Sequence, residues 1–369
     1  MSNFTMPGAI VNQGMPQNIQ RVRHTPPEQF RFEFYRYLKS ICFFLVFPTL
    51  SCVLAKPVTV LPPATDAETN LPALTRSVDR IVFLGDSITQ GGDYVTDVEC
   101  WLFAQGIKMD VLNLGLASET ATDLTPAENA AHLKQYGFGR PAASERLERA
   151  LMATKPDLLF ACYGMNDGSS LPPDESGTKR FADAITHLRE AAIKAGVKRV
   201  VICTPPVQDA KGDAKQKFHD ENLARYTTWL LSKHTDGWDV VDIHTPMCAA
   251  LDDGRAKNPA FEFAKDGVHP GREGHWLMAR EILTQFFGAK LDGVASAENL
   301  FPAHGAEIRK LVHARMVLLF NAWMTQVGHK RPGVAGGPGA KPGLPIAQAN
   351  DQAAEITKQI NTQMAAVTP

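Results

Sequence analysis

RIVFLGDSIT, residues 80–89, is the stretch that decides the fold. Residues 81–84 are all apolar, a continuous rather than alternating pattern that is typical of a strand covered on both faces. Gly85 permits a tight turn after that strand, and Asp86 and Ser87 are residue types that favour turns. The stretch therefore predicts a buried strand ending in a polar turn, with a serine projecting where open α/β sheets bind their ligands.

Four more largely apolar runs follow along the chain: Met109–Leu114, Asp157–Tyr163, Arg199–Cys203 and Asp239–Ile243. Segments with apolar residues at helical spacing alternate with them: 142–154, 178–195, 213–234 and 270–287. Strands that alternate with helices predict a parallel sheet between two helical layers. We therefore expect a three-layer α/β/α sandwich with a five-stranded parallel sheet.

The N-terminal segment has the composition of an export signal. Basic residues precede the apolar run Ser40–Ala55 (SICFFLVFPTLSCVLA), which is interrupted by Pro48. A membrane-spanning helix needs roughly 20 apolar residues, so the run is short for a span. We expect residues 1–55 to be a signal peptide with a long n-region, cleaved after Ala55, with an uncleaved anchor as the alternative. The mature chain would be periplasmic or extracellular, with no integral membrane contact.

Composition divides the remainder of the chain. Residues 56–78 are rich in Pro, Thr and Ala and are predicted to be a linker, and the strand–helix pattern spans residues 79–288. A helical extension is expected over 289–330, a Pro/Gly-rich linker over 331–346 and a final helix within 347–369. We expect these last segments to pack on the α/β domain as an appendage, because they are too short to form a core of their own.

The charge balance argues against one class of partner. The chain of 369 residues has 38 basic and 39 acidic residues, and its formal net charge is -1. No field of one sign therefore favours nucleic acid or an anionic membrane. We expect no nucleic-acid partner, and the composition leaves the oligomeric state open.

Four short stretches place polar or small residues at predicted strand ends or helix starts: Gly85-Asp86-Ser87-Ile88-Thr89, Asn113-Leu114-Gly115, Gly164-Met165-Asn166-Asp167 and Asp266-Gly267-Val268-His269-Pro270. Ser87 can act as a nucleophile, His269 can accept its proton, and Asp266 can hold the imidazole in the right tautomer. The Asn166 amide is a neutral donor suited to a developing oxyanion. Each stretch alone is a common turn or cap, but their combination predicts a hydrolytic site.

GDSITQG, NLG, GMND and DGVHP together resemble the motifs of the SGNH hydrolases, also called GDSL esterases and lipases. The resemblance covers roughly residues 80–287, and the flanking regions resemble a bacterial exported branch of the family. It implies a flavodoxin-like fold and ester hydrolysis without a metal or an organic cofactor. The defining residues would be Ser87, Gly115, Asn166 and His269. The backbone N–H groups of Ser87 and Gly115 and the side chain of Asn166 would form the oxyanion hole.

Carboxylic ester hydrolysis is thus the expected activity, with a small acyl ester or an acylated carbohydrate as substrate. A carbohydrate O-acetylesterase is the specific activity we favour. One alternative is a lipase, thioesterase or lysophospholipase with the same triad, which would need a large apolar pocket. A second alternative is a binding protein that has kept the fold without turnover. Tyr94, Met165 and His244 lie near predicted strand ends and are expected to line the substrate pocket.

Overall fold

The computed structural model describes residues 77–209 and 214–366. The predicted signal peptide, residues 1–55, and all but the last two residues of the predicted linker at 56–78 lie outside the described part of the chain. No helix within the described ranges combines the length and apolar character that crossing a membrane requires.

Five parallel strands form the central sheet: β1 (Arg80–Gly85), β2 (Asp110–Gly115), β3 (Leu158–Cys162), β4 (Arg199–Cys203) and β5 (Asp239–Val241). Their order across the sheet is β2-β1-β3-β4-β5. This is the flavodoxin-like order, and it confirms the predicted parallel sheet. The observed strands begin and end within two residues of the predicted apolar runs.

Eleven helices are described, together with 3₁₀ turns at Ala143–Glu145, Lys233–Asp236 and Ala297–Leu300. The helices are α1 (Ser87–Gly91), α2 (Asp93–Ala104), α3 (Pro126–Tyr136), α4 (Leu147–Thr154), α5 (Met165–Gly168), α6 (Glu175–Lys194), α7 (Ala214–Ser232), α8 (His244–Lys257), α9 (Arg272–Gln285), α10 (Gly305–Val327) and α11 (Ile346–Ala365).

The helices form two layers around the sheet. Helix α2 contacts both α9 and α10, and α6 contacts both α4 and α7. The strand order requires this division. The chain crosses from β1 to β2 in one direction and then from β2 to β3 in the opposite direction. Because both crossovers are right-handed, their helices lie on opposite faces of the sheet. Apart from their first residues, β1 and β2 are buried throughout, as a doubly covered sheet requires. The predicted three-layer α/β/α fold is therefore confirmed.

Three of the helices longer than five residues were not predicted from the sequence, for different reasons. Helix α2 is buried over nearly its whole length, so it lacks the polar face that makes helical spacing visible. Helix α3 buries only His132 among its own residues and is defined by its start, where Thr125 and Glu128 form a capping box around Pro126. Helix α8 begins directly after the short β5, so the two were hard to separate by pattern.

The C-terminal helix α10 contacts both β2 and α2. Apolar residues along its inner face are buried at 4% exposure or less: Ile308, Val312, Met316 and Leu319. Two ion pairs join it to α2, one between Arg309 and Asp97 and one between Arg315 and Glu99. Helix α10 is thus continuous with the hydrophobic core of the α/β domain.

Candidate active site

Ser87 lies at the carboxyl edge of the sheet, as the first residue of α1 and two residues beyond the end of β1. The Asp86 carboxylate caps α1 by accepting a hydrogen bond from the Ile88 N–H at 2.9 Å, which fixes the turn that presents the serine. Strand β1 lies between β2 and β3, where the direction of the chain across the sheet reverses. Ligands of doubly wound sheets bind at this switch point.

His269 and Asp266 complete a hydrogen-bonded series with Ser87. Ser87 Oγ lies 2.8 Å from His269 Nε2, and His269 Nδ1 lies 2.7 Å from an Asp266 carboxylate oxygen. Because an ionised carboxylate only accepts, the neutral imidazole carries its proton on Nδ1 and leaves Nε2 free to accept from the serine hydroxyl. The series therefore has the polarity that a hydroxyl nucleophile and its general base require.

The Asp266 carboxylate is held in its ionised form. Burial raises its pKa, but hydrogen bonds from the N–H groups of His269 and Val268 and from the His269 ring outweigh burial and lower the pKa to about 2. The other oxygen of the same carboxylate accepts both backbone N–H groups, so the loop before His269 is wound around Asp266.

A buried carboxylate anchors the loop that carries Asp266. Asp209 is fully buried, accepts the Ala264 N–H at 3.0 Å and is paired with Arg255. Its own N–H donates to the Gly267 carbonyl at 2.9 Å. Hydrogen bonds to Asp209 therefore hold this loop both before and after Asp266.

The Asn166 side chain is fixed by two partners at the end of β3. Its Oδ1 accepts a hydrogen bond from Arg140 Nη1 at 2.6 Å, and its Nδ2 donates to the Glu119 carbonyl at 2.9 Å. Among the described residues the second Nδ2 hydrogen has no acceptor. One amide N–H of Asn166 is thus free for a ligand.

Gly115 has a different role from the one predicted. Its N–H donates to Asn113 Oδ1 at 2.8 Å, so it is not a free oxyanion donor, and the prediction is corrected. A Cβ at Gly115 would lie 2.2 Å from Gln90 N and 2.6 Å from Thr89 C. The glycine is therefore needed because the backbone of α1 packs directly on the end of β2.

A free backbone donor occurs three residues further on, at Ser118. Within the ranges that the structure describes, the Ser118 N–H has no hydrogen-bond acceptor. Its backbone is left-handed, with φ 70°, a conformation that costs a non-glycine residue about 1–3 kcal/mol. His132 Nδ1 lies 2.9 Å from the Phe138 carbonyl and so carries the proton, which leaves Nε2 to accept from Ser118 Oγ at 3.2 Å. The hydroxyl thus ties the strained residue to α3.

A buried polar network centred on Glu119 holds the loop that contains Ser118. The Glu119 carboxylate accepts from two nitrogens of Arg146 at 2.6–2.7 Å and from the Tyr163 hydroxyl at 2.7 Å. Arg146 also donates to the Leu114 carbonyl at 2.7 Å. The network joins the end of β2, the loop after it and the residue that follows β3, which are the segments flanking Asn166.

The three predicted pocket residues are buried, with 1% exposure for Tyr94, 1% for Met165 and 6% for His244. The Tyr94 hydroxyl bonds to Thr89 Oγ1 at 2.9 Å, and the Met165 carbonyl is within hydrogen-bond distance of the His219 ring. These side chains pack beneath the carboxyl edge of the sheet and offer little surface to a ligand. The structure thus brings together Ser87, Asp266 and His269. It does not place Tyr94, Met165 and His244 at an open pocket.

The site itself is open to solvent. The side chains of His269 and Asp266 are 51% and 56% exposed. Two surface cavities of about 280 and 490 Å³ lie away from this site, since neither is lined by Ser87, Asn166 or His269.

Sequence reasoning missed Arg140 and Ser118. Arg140 lies in a loop 26 residues before Asn166 and belongs to no recognisable motif. The positive φ of Ser118 has no signature either, because glycine or asparagine would be the usual residue there. The capping box that begins at Thr125 can be recognised in the sequence, and it predicts the helix that precedes Arg140.

A serine, an imidazole and a carboxylate linked in series at the edge of a doubly wound sheet are the arrangement found in serine hydrolases. The profile of the GDSL-like lipase/acylhydrolase family matches residues 83–277, more than half of the chain. The chain therefore belongs to that family.

Several solved structures resemble the chain in part. A gut microbial diltiazem-metabolizing enzyme is 23% identical over 57% of this chain, with a TM-score of 0.43, and the match spans 47% of that enzyme. An acetylxylan esterase from Geobacillus stearothermophilus is 21% identical over 57% of this chain and 95% of its own, with a TM-score of 0.42. The chain thus spans about half the length of the first of these enzymes. No curated protein sequence matches it significantly.

Proposed function

We propose that the protein is a serine esterase in which Ser87 attacks the ester carbonyl while His269 accepts its proton and Asp266 orients the imidazole. The observation that carries the proposal is the continuous hydrogen bonding from Ser87 Oγ through His269 to Asp266, at 2.8 and 2.7 Å. His269 then returns the proton to the leaving alcohol, and water repeats the sequence on the acyl-enzyme.

The oxyanion is stabilised by three donors in this proposal. Ser87 contributes its backbone N–H at the start of α1, which has no acceptor among the described residues, and Asn166 contributes the second Nδ2 hydrogen. Ser118 supplies the second backbone N–H, in place of the Gly115 N–H that is bonded to Asn113. Donors held in position before the reaction stabilise developing charge without reorganising.

The proposed substrate is a small acyl ester on a larger alcohol, such as an O-acetyl group on a carbohydrate. Support comes from the exposure of His269 and Asp266, because an open site accommodates a bulky alcohol. The alternative, a lipase, thioesterase or lysophospholipase, would need an apolar pocket for a long acyl chain.

Hydrolysis of p-nitrophenyl acetate by wild-type and Ser87→Ala protein tests the mechanism. We expect the alanine variant to lose roughly 10⁴-fold or more of the turnover rate. Wild-type turnover by that variant would exclude Ser87 as the nucleophile.

Acyl-chain profiling, run beside acetate release from acetylated xylan, tests the substrate. The proposal predicts that kcat/KM falls as the acyl chain lengthens and that acetate is released. A preference for long acyl chains without acetate release would instead favour the lipase-type alternative.

We also infer that the protein is exported, from the basic and apolar pattern of the segment ending at Ala55. Amino-terminal sequencing of protein recovered outside the cytoplasm is expected to begin at Lys56. Recovery of all the protein in the cytoplasm with an intact terminus would contradict export.

A further inference from the structure

We infer that Arg140 is a positioning residue that sets the orientation and polarity of the Asn166 amide in the oxyanion hole. This inference rests on the proposed function, because it assigns Arg140 a role through a proposed oxyanion donor. The observation behind it is the 2.6 Å hydrogen bond from Arg140 Nη1 to Asn166 Oδ1.

The two partners of the Asn166 side chain leave it one orientation. Arg140 can only donate and must face the amide oxygen, whereas the Glu119 carbonyl can only accept and must face the amide nitrogen. Rotating the amide by 180° would break both contacts at once. The remaining Nδ2 hydrogen is therefore held in a fixed direction before substrate arrives.

Arg140 also polarises the amide. A guanidinium bonded to the amide oxygen withdraws electron density and makes the Nδ2 hydrogens better donors. The Arg140 side chain is half-buried, so its charge is less screened than that of an exposed arginine. Negative charge that develops on a substrate oxygen at Asn166 Nδ2 would therefore be stabilised by the Arg140 guanidinium, which is bonded to the oxygen of the same amide.

Arg140 is held in place independently of Asn166. Its Nη1 lies 3.5 Å from the Ser118 carbonyl, and its Nη2 lies 3.4 Å from Ser169 Oγ. Its backbone N–H donates to Asn129 Oδ1 at 2.7 Å, which ties the residue to α3. The cation thus spans the loop of Ser118 and the short helix of Asn166, the two segments that carry proposed oxyanion donors.

The test compares Arg140→Gln and Arg140→Lys with wild type on p-nitrophenyl acetate. Arg140→Gln is expected to lower kcat by about 10- to 100-fold with KM within about twofold, because the lost interaction strengthens only as charge develops. Arg140→Lys retains the charge and is expected to recover part of that loss. Arg180→Gln is the matched control, since Arg180 ties Glu128 of the same helix α3 to α6 without touching Asn166.

A double-mutant cycle with Asn166→Ala separates positioning from a general structural role. If Arg140 acts through Asn166, Arg140→Gln should change kcat by less than about twofold when Asn166 is already alanine. An equal loss in both backgrounds, a loss no larger than that of Arg180→Gln, or wild-type kcat in Arg140→Gln would overturn the inference. Thermal unfolding of each variant identifies any loss that comes from misfolding. The proposed function itself fails on a different result, namely full activity in Ser87→Ala.

Discussion

At the residue scale, Asp86 has the most unusual environment next to the nucleophile. Its carboxyl is 3% exposed, and burial raises its pKa to about 7, although the Ile88 N–H and the nearby His269 act in the opposite direction. Between pH 3.8 and about 7 the folded protein therefore holds a proton that the unfolded chain releases. Stability should fall as pH rises through this window, because the folded state binds more protons there.

Asp86→Asn removes that titration while keeping a side-chain oxygen to cap α1. The free energy of unfolding of this variant is expected to fall less steeply than that of wild type between pH 4 and 7, by urea denaturation at a series of pH values. Asp266 serves as a contrast because its pKa is lowered to about 2, so its contribution is lost only as the solution becomes strongly acidic. Parallel pH profiles for Asp86→Asn and wild type would contradict this account of Asp86.

Gly115→Ala tests the corrected role of Gly115. The added Cβ would meet backbone atoms of Gln90 and Thr89 at 2.2 and 2.6 Å, so we expect a loss of about 1–3 kcal/mol in the free energy of unfolding. Gly91→Ala is the matched control, because a Cβ there meets nothing within 4 Å. Unchanged stability in Gly115→Ala would mean that the packing of α1 on β2 is looser than described.

At the element scale, helix α10 contributes packing that reaches the nucleophile turn. Met316 is 1% exposed, and its Sδ lies 3.5 Å from Asn113 Nδ2, the same side chain that holds Gly115. Asn113 Nδ2 also donates to the Thr89 carbonyl in α1 at 2.6 Å. The contacts run from α10 through β2 to the helix that presents Ser87.

Met316→Ala leaves a cavity at this junction and should lower the free energy of unfolding by about 2–5 kcal/mol. Val317→Ala, one position along the same helix and 38% exposed, should change it by less than about 0.5 kcal/mol. Chemical denaturation of the two variants measures the difference. Similar values for both would indicate that α10 is only loosely associated with the sheet.

The elements that the sequence predicted well were those whose pattern is local. The five strands are continuous apolar runs, and α6 and α10 repeat apolar residues at helical spacing, so neighbours along the chain were enough. Ser87, Asn166, Asp266 and His269 were identified because each follows a strand or precedes a helix within a short motif. Arg140 and Ser118 were missed because their roles depend on partners distant in sequence and on a backbone angle.

At the scale of the whole molecule, the chain beyond residue 304 completes the core. Ile308, Val312 and Met316 are buried against the rest of the fold, and Arg309 and Arg315 pair with buried carboxylates of α2. Removing residues 305–369 would expose these apolar groups, leave Glu99 without Arg315 and leave Asp97 with only the more distant Arg272, at 3.5 Å. The predicted boundary at 288 followed a change of composition, which does not reveal how closely two segments pack.

A chain shortened to residue 304 is expected to lose cooperative thermal unfolding, whereas one shortened to residue 345 should retain it at a lower midpoint. The second truncation removes only α11, whose buried residues are the small Ala349 and Ala353 together with Ile360. Circular dichroism melts of both truncated proteins measure the contrast. Full stability of the shorter protein would show that α10 is an appendage after all.

Ser87 is proposed to be the nucleophile, with His269 as its base. Labelling with a fluorophosphonate, followed by peptide mass spectrometry, tests this proposal most directly because the reagent bonds covalently to an activated serine. We expect one adduct on Ser87, formed far more slowly in His269→Ala and absent in Ser87→Ala. An adduct on a different serine, or ester hydrolysis that persists without labelling of Ser87, would contradict the proposal.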